Sequence, residues 1–212
     1  AMTTSTYDNE AYGRGESQTG RMNIVDFNST INAANDVEMS SNKATAFFAK
    51  NGGHINGQNV TMTGSNSIGA FAYGVNDLDS TKTIKSDKTG TGTQASTQIN
   101  LESITAIQKG TITNLNDNSN SNIGAAAITL SDDGSVKGTG ETKISVENNV
   151  TVYGIGAYAK GDKAVVDIKG SGSTIHTGEN GALLSLNGGT INFGGGTIEH
   201  RDTYTDSHTD KL

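Results

Sequence analysis

Apolar and small residues return along this chain in one five-residue pattern. It is written at Thr45-Ala46-Phe47-Phe48-Ala49, Gly69-Ala70-Phe71-Ala72-Tyr73, Thr105-Ala106-Ile107-Gln108-Lys109, Gly124-Ala125-Ala126-Ala127-Ile128, Gly156-Ala157-Tyr158-Ala159-Lys160 and Gly181-Ala182-Leu183-Leu184-Ser185, always with Ala second. The starts advance by 24, 36, 19, 32 and 25 residues, the irregular spacing of a solenoid whose coils carry loops of different length. A second pattern, two apolar residues separated by one, occurs at Val37/Met39, Val60/Met62, Ile99/Leu101, Ile144/Val146, Val166/Ile168 and Ile191/Phe193. This is strand alternation with period two. Its first members are 23, 39, 45, 22 and 25 residues apart, and the two long gaps read as one coil plus an insertion and as two coils. Thr-Ile pairs at Thr30-Ile31, Thr174-Ile175 and Thr197-Ile198 fall in gaps left by the other two. Each coil is therefore expected to hold about three short strands.

These periods predict an all-β chain, a parallel β-helix (solenoid) of about eight coils at roughly 25 residues per coil, about 40 Å long at the usual strand spacing. The helix is placed at residues 22–200. Residues 1–21 read as an N-terminal scar and irregular cap, and residues 201–212 as a frayed C-terminal segment. Residues 76–98 break the period and carry Asp77, Asp79, Lys82, Lys85, Asp87 and Lys88; they predict a loop protruding from one corner. Asn114 to Asn122, with Asn at every second position, predicts another loop or an extended turn.

Alternate side chains in a strand point to opposite faces. Placing the constant Ala and the fourth position inside turns the third position outward, giving a ladder of Phe47, Phe71, Ile107, Ala126, Tyr158 and Leu183. Contiguous exposed apolar surface marks contact sites, and aromatic groups are favoured in interfaces. The candidate binding residues are accordingly Phe47, Phe71, Ile107, Tyr158 and Leu183, with Asp79, Lys82, Lys85, Asp87 and Lys88 of the loop. Reversed parity, with these side chains in the core, is the alternative, and Gln108, buried in the first register, argues for it.

Composition supports the reading. Only 32% of the 212 residues are hydrophobic, 5% aromatic and 17% charged, too poor for a compact sphere. Disordered chains share low hydrophobicity but are usually rich in Pro and charge, whereas this chain has no Pro. That absence fits uninterrupted ladders, where every interior strand uses its amide hydrogens. Many of the 28 Gly stand in turn pairs such as Asn51-Gly52 and Asn187-Gly188. Without Cys there is no disulfide framework, which is compatible with export through an oxidising compartment. The net charge of −7, with no basic block, speaks against nucleic acid as a partner. No run approaches the roughly 18 apolar residues of a membrane helix. The opening Ala1-Met2-Thr3-Thr4 lacks the parts of a signal peptide and reads as a scar on an excised fragment.

Candidate chemistry is sparse. Asp77/Asp79 and Asp132/Asp133 offer oxygen ligands for a cation, but the Gly-Gly-x-Gly-x-Asp nonapeptide of calcium-loaded rolls is missing, and solvated turn carboxylates are the better reading. His54, His176, His200 and His208 lack ligand spacing and read as surface residues. Carbohydrate-active enzymes on such scaffolds need clustered carboxylates. Glu38 and Asp167 share a phase several coils apart, and Asp26 and Glu147 fall elsewhere, so they make no site. Lys169-Gly170-Ser171-Gly172-Ser173 lacks the strand-to-helix elbow of a serine nucleophile. The chain is expected not to be an enzyme and to need no cofactor or metal.

Gly156-Ala157-Tyr158-Ala159, Ser173-Thr174-Ile175-His176-Thr177, Gly181-Ala182-Leu183-Leu184 and Gly188-Gly189-Thr190-Ile191-Asn192-Phe193 resemble the passenger regions of Gram-negative autotransporters, the type V secretion proteins. The likeness covers roughly residues 22–200, and the low-Pro, Asn-rich flavour is similar to that of large fusobacterial adhesins. The resemblance implies a right-handed parallel β-helix at the cell surface, exported through the outer membrane. It implies a parent protein held there by a C-terminal barrel missing from these residues, and the partner would be a host or bacterial cell-surface protein or glycan. The expected function is a segment of a surface adhesin; the alternatives are a polysaccharide lyase or hydrolase on the same scaffold and a stalk spacer. The fragment is expected as a monomer, with end-to-end association through open strand edges at a cut end only an artefact of the cut.

Overall fold

A computed structural model describes residues 30–50, 52–74, 96–107, 121–130, 132, 134, 138 and 140–200, with the backbone of 2–4, 111–112 and 204–205. Every regular element in them is a strand, and nearly all pair in parallel. The strands fall on three faces visited in a fixed rotation. The first is an asparagine face of β2 (Thr30–Asn32), β5 (His54–Asn56), β8 (Thr97–Leu101), β12 (Thr142–Val146), β14 (Ala164–Ile168) and β17 (Thr190–Phe193). The second is a threonine face of β3 (Val37–Met39), β6 (Asn59–Met62), β9 (Ser103–Ala106), the first part of β13 (Val150–Lys160), β15 (Ser173–Thr177) and β18 (Gly196–His200). The third is an alanine face of β1 (Met2–Thr4), β4 (Thr45–Lys50), β7 (Ile68–Tyr73), β11 (Asn122–Ile128), the second part of β13 and β16 (Leu183–Leu186). Because β13 runs round the corner, it joins the last two faces into one eleven-stranded network. Apart from these faces, β10 (Thr111–Ile112) pairs antiparallel with β19 (Tyr204–Thr205).

Inward side chains from all three faces form one core. The asparagine face contributes Ile55, Ile99, Ile144 and Val166, and the threonine face Val60, Ile104, Val150 and Ile175; the alanine face opposes them with Ala70, Ala125 and Ala157. Large groups on two sides face small ones on the third, a size complementarity that suits a close-packed interior. The exception shows the rule: Phe47 sits in the alanine column, fully buried. It fits because Gly57 is beside it, where a Cβ would lie 2.9 Å from Phe47 Cζ.

Several sequence expectations change. Each face carries six strands among the described residues, against about eight expected coils. Ile55 and Ile99, and again Ile99 and Ile144, are direct partners, so the gap of 45 residues separates neighbouring strands of one face and does not span two. Val37/Met39 and Val60/Met62 lie on the threonine face, the other four apolar pairs on the asparagine face. Of the Thr-Ile pairs, the first is on the asparagine face and the other two on the threonine face. Thr97 and Gln98, assigned to the loop, begin β8. Residues 76–95 of that loop, the Asn114 segment through 120 and most of both terminal segments lie outside the described residues, although Met2–Thr4 pairs with β4.

Candidate functional site

The outer side of the alanine face differs from the other two. At its entrance two consecutive residues point inward, Gly69-Ala70, Gly124-Ala125 and Gly156-Ala157, and the ladder skips the glycine each time. Beyond this bend strict alternation resumes. Phe48, Phe71, Ala126, Tyr158 and Leu184 stack in one outward column. Lys50, Tyr73, Ile128, Lys160 and Leu186 stack in the next. Eight of these ten positions are apolar or aromatic, most of them half-buried by their own neighbours, and Leu186 is 41% exposed.

The aromatic groups touch. The Phe48 and Phe71 rings stack with centroids 5.2 Å apart, and Phe71 meets Tyr73 edge-on at 5.8 Å, geometries worth about 0.5–1.5 kcal/mol beyond burial. Lys50 Nζ lies 5.4 Å from the Tyr73 ring centroid, within cation–π range. Burial in this apolar setting lowers the Lys50 pKa and raises that of Tyr73, with Asp132 adding to the rise and Lys160 opposing it. Lys160 Nζ donates a 2.9 Å hydrogen bond to Asp132 Oδ1, which holds the ammonium pKa above its ordinary value. The bond ties Asp132 to the edge of the face.

Of the sequence candidates, Phe71 and Tyr158 lie on this surface. Phe47 does not: it is at 0% exposure in the core. Leu183 also points inward, partner of Ala157 and packed against the core. Both errors have one cause. The first and last pentads are shifted by one residue, so Phe48 and Leu184 are the true equivalents of Phe71 and Tyr158. Ile107 is 41% exposed but follows β9, where its amide donates to Met62 O, and so stands beyond the threonine face. Asp79, Lys82, Lys85, Asp87 and Lys88 lie outside the described residues. The residues missed were Phe48, Tyr73, Ile128, Leu184 and Leu186. The fifth position of the three in-register pentads held the signal, since alternation puts it beside the third.

The other two outer faces are polar. Asn56 Nδ2 donates to Asn32 Oδ1 and Asn100 Nδ2 to Asn56 Oδ1, both at 2.9 Å, and the column continues through Ser145, Asp167 and Asn192. The threonine face carries Thr61, Thr105, Thr151, Thr174 and Thr197 in register. His176, expected at the surface, is nearly buried at 8% exposure, stacked on Tyr153 with Nδ1 3.2 Å from Glu199 Oε2. Asp132, read as a solvated turn carboxylate, is exposed yet bonded to Lys160. Among the described residues no three His, Asp or Glu converge to hold a metal. A shallow cleft of about 180 Å³ between Thr129, Gly161 and Asn187 falls below the roughly 300–1,000 Å³ of a small-molecule site.

No protein-family model, curated protein or solved structure matches the chain.

Proposed function

We propose that the chain is a segment of an exported bacterial surface adhesin, a right-handed parallel β-helix that attaches to host or neighbouring cells through its alanine face. The fixed rotation of strands over three faces, each pairing in parallel with its counterpart one circuit on, supports the helical reading. Right-handedness follows from the strong chirality of parallel crossover connections. One observation carries the functional reading: a single outer face is apolar and aromatic while the other two are polar. A partner that covers Phe48, Phe71 and Tyr158 would gain the burial that solvent now denies them. The parent protein would stand at the cell surface or be secreted, anchored by a barrel outside these residues.

The test is a binding screen of the chain against cells and immobilised surface proteins and glycans, with Phe71→Ser and Tyr158→Ser combined. Both positions point outward, so the fold should survive while affinity falls at least tenfold, a loss of about 1.4 kcal/mol. Undiminished binding by the double variant removes the face from the site. Turnover of a polysaccharide, abolished by a single carboxylate substitution, would instead make the protein an enzyme.

A further inference from the structure

Of the ten outward positions beyond the bend of the alanine face, the only charged ones are Lys50 and Lys160. On the entrance side of the bend Ile68, Ile123 and Ile155 stack in register and continue the apolar strip. Although the chain has a net charge of −7, β4, β7, β11, the second part of β13 and β16 bring no acid to this face. One carboxylate from elsewhere nevertheless stands at it. Asp132, itself fully exposed, meets Lys160 Nζ, whose side chain is only 10% exposed, and its charge also reaches Tyr73, two strands away in the same column. The chain's own carboxylate thus shows what the lysine column accepts. Lys50 offers a second such place three strands along the column, about 14 Å away at the usual strand spacing. Its ammonium is held over the Tyr73 ring, and the burial that lowers its pKa also reduces the screening of its charge, so an anion beside it is held more strongly.

The dimensions of the strip select the kind of partner. From β4 to β16 it is about 19 Å across the strands, and from Ile155 to Lys160 about 17 Å along them. A footprint of roughly 300 Å² is well below the roughly 800 Å² per partner of a stable protein interface, which argues against a second copy or a folded protein. An extended peptide adds to a sheet through an open edge, but β7, β11 and the second part of β13 are paired on both sides. A sugar chain needs neither a large area nor an edge. Its rings carry C–H groups that cover apolar side chains, and each ring spans about one strand spacing, so a chain laid across the strands keeps step with the columns. We propose that the alanine face takes a linear carboxylated glycan, its rings on the column of Phe48, Phe71 and Tyr158 and its carboxylates on Lys50 and, in place of Asp132, on Lys160. This rests on the alanine face being the binding surface proposed above, and adds the chemistry of what it binds.

Fluorescence anisotropy with the full chain tests it. The labelled probes are an oligogalacturonate, a hyaluronan oligosaccharide and the methyl ester of each, with oligoglutamate as the peptide of like charge. At least one uronate should bind, more weakly as salt rises, and its ester should bind at least tenfold more weakly. Asp132→Asn removes the competing carboxylate at an exposed position and should tighten binding at least threefold. Lys50→Met should loosen it at least tenfold, with circular dichroism checking the fold; should that variant unfold, Asp132→Asn and the esters carry the test. The proposal is overturned if no uronate binds, if the ester binds as tightly as its acid, or if Asp132→Asn leaves affinity unchanged or lowers it. Oligoglutamate bound as tightly as the uronate overturns it too, because the partner would then be an acidic peptide. Attachment to cells separates this proposal from the reading beneath it. If Phe71→Ser with Tyr158→Ser abolishes attachment while no uronate binds, the carboxylated glycan is wrong and the adhesive face stands. If that variant still attaches, the face itself fails and the glycan with it.

Discussion

At the bend between the threonine and alanine faces, the first of two inward residues has almost no room. A Cβ on Gly124 would lie 2.5 Å from Gly156 O and 2.7 Å from Val150 Cγ1; on Gly156 it would lie 2.3 Å from Ile175 Cδ1. The same position is Ala46 in β4 and Ala182 before β16, so it is the neighbouring circuits that make glycine necessary. Overpacking of this kind costs about 1–3 kcal/mol, and Gly124→Ala should lower stability by that amount in urea or thermal unfolding. Ala182→Gly, which relieves no clash, should cost only about 0.5–1 kcal/mol of backbone entropy. Equal stability of Gly124→Ala and the native chain would mean that the bend is soft. The adjacent Phe47 and Phe48 make the complementary point, since one is core and the other surface although the sequence gives them the same side chain. Alternation fixes relative orientation along a strand, but the absolute phase depends on where the bend falls, and that is set by contacts between circuits.

At the scale of the strand, hydrogen bonds between side chains add a second ladder to the backbone one. Asn56 is the middle member, accepting from Asn100 and donating to Asn32. Removing it loses two exposed bonds, so Asn56→Ala should cost about 1 kcal/mol. Asn192→Ala, at the end of the column and without such a bond among the described residues, should leave the melting temperature unchanged; a loss as large as that of Asn56→Ala would mean that the ladder contributes nothing specific. The strands themselves were legible, because Val60/Met62, Ile144/Val146 and Val166/Ile168 alternate with polar residues wherever an inner face is buried. Which face each belonged to was not. The asparagine and threonine faces present the same apolar-x-apolar signature inward, so Val60/Met62 and Ile99/Leu101 look alike until their partners are known. Thr105-Ala106-Ile107 likewise imitates the alanine pentad but ends β9 on another face. The outer apolar surface was half legible: Phe71 and Tyr158 follow from the repeat, whereas Phe48 and Leu184 needed the one-residue shift.

Across the whole molecule, length variation is confined to corners while the faces keep register. The corner from the alanine to the asparagine face takes three residues at 51–53, 161–163 and 187–189, closed by bonds such as Gly53 N to Lys50 O and Gly189 N to Leu186 O. At 161 and 188 the chain adopts φ of 101° and 86°, which glycine tolerates without strain. On the two intervening circuits the same corner is expanded, between Tyr73 and Thr97 and between Ile128 and Thr142. Dividing 212 residues by roughly 25 per coil counts the expanded corners as if they were coils, which is why eight coils were expected. The expansion is dispensable for register, because both its ends are tied independently: Gly74 N donates to Ile128 O at 2.8 Å, and His54 Nε2 lies 2.9 Å from Ser96 O. Replacing residues 75–95 by two glycines should therefore leave a folded protein with an unchanged or slightly higher melting temperature, since each halving of a loop gains only about 0.6 kcal/mol. The same variant separates the two groups of candidate binding residues read from the sequence. Binding retained by the shortened chain and lost by the Phe71→Ser and Tyr158→Ser variant places attachment on the alanine face; binding lost on shortening, with the fold intact, moves it to the segment that holds Asp79, Lys82, Lys85, Asp87 and Lys88. A shortened chain that fails to fold would contradict the claim that neighbouring circuits alone set the register at this corner.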